Sequence, residues 1–129
     1  EAYDRGCEHA VLLDRDGHVT EGRGWNIFAL KGGRLVSPDT GVLEGITRRT
    51  VVELCRHTNI KAEYSALSAD DLRAADEVFM TSTAGGIMPV RRIDDQVIGG
   101  GTRGPVTKRL TDLYWALHDD PAHSTAVDY

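Results

Sequence analysis

An apolar strand that runs directly into a turn of hydroxyl residues and glycines is the feature of this sequence that most restricts its fold. Residues 78–80 are Val-Phe-Met, which is typical of a buried strand. Residues 81–83 all carry hydroxyl groups, and residues 84–86 are Ala-Gly-Gly. Hydroxyl groups and free backbone N–H groups in a glycine-containing turn can bind phosphate or carboxylate. We therefore predict an anion site at the end of a central strand, with an ordinary Ser/Thr/Gly loop as the alternative.

A second predicted anion site lies upstream, where Gly45-Ile46-Thr47 opens a helix. The free N–H groups and the dipole of a helix N-terminus both favour a bound anion. Arg48 and Arg49 follow in the first turn, where cations oppose the helix dipole, and a bound anion would relieve that conflict. Two anion sites in one small domain indicate a ligand that carries more than one acidic group.

Glu21 is the most suggestive carboxylate of the chain. In regular strand alternation it shares a face with Arg23, Trp25 and Ile27, so it points where apolar groups also point. A carboxylate on a largely apolar face needs a partner, such as an arginine, a backbone donor or a protonated nitrogen of a ligand. The alternative is a surface glutamate that pairs with Arg23.

Length and composition restrict the class of protein. A chain of 129 residues with 40% hydrophobic and 27% charged residues is expected to form one domain. A net charge of −5 without a basic block argues against a nucleic-acid partner. Apolar runs such as residues 10–13 and 27–30 are too short to span a membrane. The two cysteines do not resemble a disulfide framework, so we expect a cytoplasmic, reducing environment.

The pattern of elements predicts an α/β domain with mostly antiparallel pairing. We expect a helix turn ending at residue 6, strands at 9–13 and 19–30, and a strand at 34–37 that completes a three-stranded meander. Gly22 and Gly24 interrupt the second strand and indicate a bulge or a close backbone approach by a ligand. A helix is predicted at 46–56, then a strand at 61–67, a helix start capped by Ser68 and a strand at 76–81. Two short strands within 87–98, on either side of Asp94-Asp95, and a helix at 105–118 close the chain. The first helix has four residues able to share an apolar face: Ile46, Val51, Leu54 and Cys55.

Three other motifs carry less information. Residues 99–104 match the dinucleotide pattern G-x-G-x-x-G, but no strand that could carry the ribose-binding acid follows the next helix. Cys55 and His57 are two residues apart on a helix and face different ways, so we predict no metal site with Cys7 and its neighbours. Residues 14–17 lack the later ligands of a calcium loop and are predicted to form a turn.

Four stretches closely resemble the C-terminal half of the fold type IV aminotransferases, which use pyridoxal 5′-phosphate. They keep the family order over nearly the whole chain and are Thr20-Glu21-Gly22-x-Gly24-Trp25-Asn26-Ile27, Gly41-Val42-Leu43-x-Gly45-Ile46-Thr47-Arg48, Ala75-Asp76-Glu77-Val78-Phe79-Met80 and Gly104-Pro105-Val106-Thr107-Lys108. The resemblance implies a mostly antiparallel sheet or pseudo-barrel with flanking helices, and residues 1–129 would be the cofactor-binding domain of a longer enzyme.

Two further stretches look most like the (R)-selective amine transaminases of this superfamily. They are Ala84-Gly85-Gly86-Ile87-Met88-Pro89 and Tyr114-Trp115-x-x-His118-x-Asp120-Pro121. The branched-chain and D-amino-acid aminotransferases are the nearest alternatives. The implied reaction transfers an amino group between an (R)-amine and a keto acid such as pyruvate.

The resemblance implies one set of residues around the cofactor phosphate. Gly45, Ile46 and Thr47 would hold the phosphate at the helix N-terminus, and Thr83 with Ser82 would complete the site.

The resemblance also implies roles on the ring and substrate sides. Glu21 would bind the pyridine nitrogen, with Asn26 supporting that carboxylate, and Leu43 would pack on the ring face. Ala84 and Gly85, together with Thr83, would line the substrate side, where a carboxylate could use free N–H donors.

The family's Schiff-base lysine, and an arginine that also binds phosphate, would precede Glu1. Lys31, Lys61 and Lys108 do not match the family's catalytic position. The resemblance therefore assigns no catalytic side chain to this chain, which alone is expected to be inactive and to need its N-terminal half.

A homodimer is the family's usual assembly. Two alternatives stay open: a lyase acting on aminodeoxychorismate, and a non-catalytic assembly or phosphate-binding module.

Overall fold

The computed structural model describes residues 2–127 and shows a mixed α/β fold. Its strands, in chain order, are β1 (Val11–Leu13), β2 (Val19–Gly22), β3 (Asn26–Lys31), β4 (Arg34–Ser37), β5 (Lys61–Tyr64), β6 (Glu77–Ser82), β7 (Gly86–Val90), β8 (Arg92–Ile93) and β9 (Gln96–Val97). Its α-helices are α1 (Ile46–Arg56), α2 (Ala69–Arg73) and α3 (Pro105–Ala116). Short 3₁₀ turns occupy Tyr3–Arg5, Gly99–Gly101 and Leu117–Asp119.

A five-stranded sheet with the order β5-β4-β3-β6-β7 forms the centre of the fold. β3 and β6 are its inner antiparallel pair, and β4 with β5 is its one parallel pair within residues 2–127. The prediction of an α/β fold with mostly antiparallel pairing is confirmed. No described helix is both long and apolar enough to cross a membrane.

Side chains alternate between the two faces of the central sheet and fill two separate apolar cores. On one face, Phe28 and Phe79 are fully buried and stack with ring centroids 5.0 Å apart, and α1 and α3 cover them through Val51 and Leu110. On the other face, Trp25 and its neighbours pack against β2, α2 and the chain around Ile98. Because β3 and β6 are covered on both sides, nearly every residue in them is buried.

The prediction of one long strand over residues 19–30 is wrong. The chain turns tightly between Gly22 and Trp25, so that β2 pairs with β1 in a separate two-stranded ribbon while β3 enters the central sheet. Gly24 has a φ of +83°, and a Cβ on Gly22 would lie 2.0 Å from the Trp25 ring. The two glycines therefore make a turn in which an indole covers the backbone, and the predicted three-stranded meander does not form.

Several other boundaries follow the sequence closely. The bounds of α1 match the prediction, Gly6 is the left-handed C-cap of the first turn, and the Ser68 hydroxyl accepts the Asp71 amide as the cap of α2. Ile46 departs from the prediction because it is exposed rather than part of the apolar face of α1. The predicted turn at Asp94-Asp95 is present between β8 and β9, but β7 precedes them as a third strand, and β1 is shorter than predicted.

A buried carboxylate that the sequence did not reveal fixes α3 to the sheet. Glu77 Oε1 accepts the Val106 amide at 3.0 Å, and Glu77 Oε2 accepts the Thr107 amide at 2.7 Å and the Thr107 hydroxyl at 2.6 Å. Gly104 is needed beside it, since a Cβ there would lie 2.1 Å from Glu77 Cδ. Negative charge at a helix N-terminus is favourable, so Glu77 acts as a cap supplied from a neighbouring strand.

We expect Glu77→Gln to lower the free energy of unfolding by about 2 kcal/mol, because glutamine is uncharged and replaces one of the two acceptor oxygens with an NH₂ group that faces an N–H donor of α3. Urea denaturation of the wild type and the variant measures this change in the free energy of unfolding. The control is Glu63→Gln, which removes a solvent-facing pair with Arg34 and should cost well under ~1 kcal/mol. Equal losses in the two variants would contradict the capping role.

Candidate functional site

A cleft of about 150 Å³ lies where β3 begins, β6 ends and the N-terminus of α1 approaches the sheet. All eight residues predicted to bind the cofactor line it: Glu21, Asn26, Leu43, Gly45, Ile46, Thr47, Ser82 and Thr83. Gly24, Trp25 and Thr81, which were not among those eight, also line it. Residues from three separate stretches of the chain, 21–26, 43–47 and 81–83, therefore meet in one cleft.

Glu21 is held in place by two hydrogen bonds to the same carboxylate oxygen. Its Oε2 accepts the side-chain amide of Asn26 at 2.9 Å and the backbone amide of Leu43 at 2.8 Å. Asn26 also donates to the Leu43 carbonyl at 2.9 Å. The predicted alternative, a pair with Arg23, is absent from the contacts of the described residues. Because both bonds use Oε2, Oε1 is left to accept a donor from a ligand.

The start of α1 offers backbone donors without a protein acceptor. Gly45 is the N-cap and has no side chain to accept the first helical amides. Within residues 2–127, no acceptor is present for the amides of Ile46 and Thr47, whereas the Arg49 amide bonds the Gly45 carbonyl at 3.0 Å. The Thr47 side chain is buried in the cleft wall. This arrangement presents two N–H groups and a hydroxyl to an anion.

Gly45 is required by close packing rather than by backbone conformation. Its φ of −63° suits any residue, yet a Cβ would lie 2.2 Å from Asn26 Oδ1. The missing side chain lets the helix start approach the amide that holds Glu21. The two halves of the cleft, the carboxylate and the helix N-terminus, are thereby brought together through Asn26.

The turn after β6 differs in part from expectation. Thr83 and Ala84 are exposed, and Ser82 Oγ accepts the Gly85 amide at 3.0 Å, so this amide is already engaged. Ala84 and Gly85 do not line the cleft, and lie beyond it on the turn. Of the three residues predicted for the substrate side, only Thr83 lines the cleft.

Arg48 does not face the cleft, contrary to the conflict with the helix dipole that the sequence suggested. Its guanidinium is buried, donates through Nε to Ser37 Oγ at 2.9 Å and through Nη2 to the Pro38 carbonyl, and stacks 3.9 Å from the centroid of the Tyr64 ring. Arg48 therefore ties α1 to the end of β4. Arg49 is exposed, where solvent weakens its interaction with the dipole.

Two large apolar side chains stand on the rim of the cleft. Leu43 is 73% exposed and Ile46 is 67% exposed, although the backbone of Leu43 is fixed by hydrogen bonds on both its N–H and C=O groups. A fixed backbone that presents a solvent-exposed leucine suits contact with a flat ring or with another protein segment.

A larger cavity of about 330 Å³ lies elsewhere, between α1 and α3. Its lining includes His57, His118 and His123, and it contains none of the predicted site residues. No group of three His, Cys, Asp or Glu side chains among residues 2–127 could hold a metal ion. Cys55 is free and buried, and burial raises the pKa of its thiol to about 11, which disfavours the thiolate that metals bind.

We expect Gly45→Ala to distort the cleft, because its new methyl group collides with Asn26 Oδ1. Asn26→Ala loses two hydrogen bonds but removes that obstacle. Gly45→Ala by itself should lower the free energy of unfolding by roughly 1–3 kcal/mol. The double variant should be no less stable than Asn26→Ala alone, because the collision is then absent. Thermal or urea unfolding of the three variants measures this coupling. Strictly additive losses would show that the two residues are not in contact.

The sequence is similar to a known protein family and to individual proteins whose functions are named. The family model described as amino-transferase class IV matches residues 1–93. The branched-chain-amino-acid aminotransferase of Pseudomonas aeruginosa is 41% identical over 118 residues, which are 91% of this chain and 38% of that protein. A probable branched-chain-amino-acid aminotransferase of Aquifex aeolicus is 42% identical, over 89% of this chain and 38% of that protein.

Solved structures agree with these matches. A branched-chain amino acid aminotransferase solved with pyridoxamine 5′-phosphate superposes with a TM-score of 0.87 at 37% identity, covering 94% of this chain and 41% of that one. The Escherichia coli branched-chain amino acid aminotransferase gives a TM-score of 0.87 at 36% identity, over 96% of this chain and 42% of that one. The chain thus spans about two fifths of the length of these relatives. Family model, identity and superposition agree, and the chain belongs to the class IV aminotransferases.

Proposed function

We propose that this chain forms the cofactor-binding part of a pyridoxal 5′-phosphate-dependent aminotransferase. The proposal rests on the cleft, in which the Glu21 carboxylate, fixed by hydrogen bonds, faces the N-terminus of α1 at Ile46 and Thr47. No side chain caps that helix N-terminus. A ligand with a protonated ring nitrogen at one end and a phosphate at the other matches these two groups. One solved relative carries pyridoxamine 5′-phosphate, and another structure carries N-(5′-phosphopyridoxyl)-L-glutamate.

The phosphate end of the ligand would lie against α1. The amides of Ile46 and Thr47 and the hydroxyls of Thr47 and Thr83 are donors without acceptors among the described residues. Charge-assisted hydrogen bonds to phosphate oxygens are stronger than neutral ones, and the dipole of an eleven-residue helix adds to them. The donor set therefore fits a phosphate monoester.

The ring end would lie against Glu21. Pyridoxal phosphate, when bound, withdraws electrons from the carbon that loses a proton during amino-group transfer. A carboxylate beside the ring nitrogen favours the protonated nitrogen, which strengthens that withdrawal. Asn26 and the Leu43 amide hold the carboxylate through Oε2 and leave Oε1 for the ring. Leu43 would pack against the ring face.

The rest of the site would come from outside this chain. A cleft of about 150 Å³ is smaller than the roughly 300–1,000 Å³ of typical ligand sites. The relatives are more than twice as long as the matched region, so a further segment can supply the lysine and a phosphate-binding arginine. The exposed side chains of Leu43 and Ile46 would contact that segment or a partner subunit of a homodimer.

The reaction would transfer an amino group to a keto acid such as pyruvate. The relatives are named branched-chain aminotransferases, which favours a branched-chain amino acid as the donor. An (R)-amine donor is the second candidate and rests on the residues Ala84 to Pro89 and Tyr114 to Pro121. A panel of L-leucine, an (R)-arylalkylamine, D-alanine and aminodeoxychorismate separates these classes and the lyase, because only the lyase forms pyruvate without an amino acceptor.

In the complete natural protein that carries this chain, we expect Glu21→Gln to bind pyridoxal phosphate and to lose roughly 100-fold or more in kcat. The neutral amide cannot hold the ring nitrogen protonated, and lost electrostatic stabilisation of this kind costs about that much. Cofactor affinity, visible absorbance of the bound cofactor and turnover are measured together. The control is Glu44→Gln, on the exposed loop next to Leu43. Equal turnover in the two variants would count against the assignment of Glu21.

A further inference from the structure

Thr81 carries a buried hydroxyl that has no hydrogen-bond partner among the described residues. The residue is 1% exposed, and within residues 2–127 its Oγ1 is the single buried side-chain nitrogen or oxygen atom without a hydrogen-bond partner. Two other buried threonine hydroxyls behave differently: Thr107 Oγ1 donates to Glu77 at 2.6 Å, and Thr20 Oγ1 donates to the Leu12 carbonyl at 3.0 Å. An unpaired buried hydroxyl is destabilising, whereas a valine would fill the same space without that penalty.

The position of Thr81 connects this hydroxyl to the cleft. Thr81 lies near the end of β6, directly opposite Asn26 on β3 and Ile87 on β7. Strand alternation puts it on the same face as Phe79, which is the face covered by α1 and α3. The residue lines the cleft together with Ile46 and Thr47 of the first turn of α1. Thr81 is therefore part of the wall beside the uncapped helix start.

Two polar side chains beside Thr81, those of Asn26 and Ser82, are engaged with other partners. The amide of Asn26 donates to Glu21 and to the Leu43 carbonyl, and Ser82 Oγ accepts the Gly85 amide. The amides of Ile46 and Thr47 and the Thr47 hydroxyl, which line the same cleft, are also without partners among the described residues. A phosphate oxygen in the cleft, which accepts from each of these donors, would satisfy Thr81 together with them.

We propose that Thr81 is a further ligand-contacting residue, whose hydroxyl donates a hydrogen bond to the phosphate oxygens of the bound cofactor; this rests on the proposed function. In the present conformation Oγ1 is closed to water, so binding includes a rotation about the Cα–Cβ bond of Thr81 that turns the hydroxyl toward the cleft. The hydroxyl is then a third side-chain donor beside Thr47 and Thr83. The cleft would discriminate phosphate esters from the same ring without phosphate.

The test uses the complete natural protein that carries this chain and three variants: Thr81→Val, Thr81→Ser and Thr107→Val. We measure the free energy of unfolding without ligand, and the dissociation constants of pyridoxal 5′-phosphate, pyridoxal and inorganic phosphate. Thr81→Val should be as stable as the wild type or more stable, yet bind pyridoxal phosphate roughly tenfold more weakly. Its affinity for pyridoxal, which lacks phosphate, should be unchanged.

The other two variants separate a ligand contact from a structural role. Thr81→Ser keeps the hydroxyl and should retain the ratio of phosphorylated to unphosphorylated affinity. Thr107→Val loses a hydroxyl that is already bonded, so it should lose stability without changing that ratio. If Thr81→Val loses stability like Thr107→Val and leaves the ratio unchanged, the hydroxyl is structural and the inference fails while the proposed function stands. If the wild type binds neither pyridoxal phosphate nor phosphate, both fail.

Discussion

The pair of hydrogen bonds that fixes the Glu21 carboxylate is the interaction on which the rest of the site depends. One oxygen accepts both the Asn26 side chain and the Leu43 amide, and Asn26 also donates to the Leu43 carbonyl. This closed set of three hydrogen bonds joins β2, β3 and the loop before α1. It fixes the carboxylate, the exposed leucine and the start of the helix relative to each other. Gly45 completes the arrangement, because any side chain there would displace the Asn26 amide.

The N-terminus of α1 has no charged or polar side chain that caps it, so its free N–H groups and its dipole are available to a ligand. α1 has no side-chain cap, and the one buried cation in its first turn, Arg48, points back to Ser37 and the Pro38 carbonyl. By contrast, α3 is capped by Glu77 from within the protein. Two helices on the same face of the sheet thus differ in one respect: one dipole is satisfied internally, and the other is available to a ligand.

Local features of the chain were readable from the sequence, and contacts between distant segments were not. The bounds of α1 and the cap by Ser68 follow from spacing and residue type over a few positions, and the two segments that the sequence predicts to bind anions both line the cleft. The turn between Gly22 and Trp25 was missed because strand alternation continues across it, and only the packing of the indole shows the break. The cap that Glu77 supplies to α3 was missed for a related reason, and Thr81 was included in the predicted anion site without its burial being foreseen. The bonds of Glu77 and the unpaired hydroxyl of Thr81 depend on neighbouring strands and helices that single-sequence patterns do not bring together.

The central claim is that one cleft binds a phosphate at the start of α1 while the Glu21 carboxylate faces the attached ring. Backbone amide NMR during titration with pyridoxal 5′-phosphate tests it most directly. We expect the largest chemical-shift changes at the amides of Ile46, Thr47 and Thr83, with inorganic phosphate competing at the same signals. Changes confined to the cavity between α1 and α3, or no saturable change at the start of α1, would contradict it.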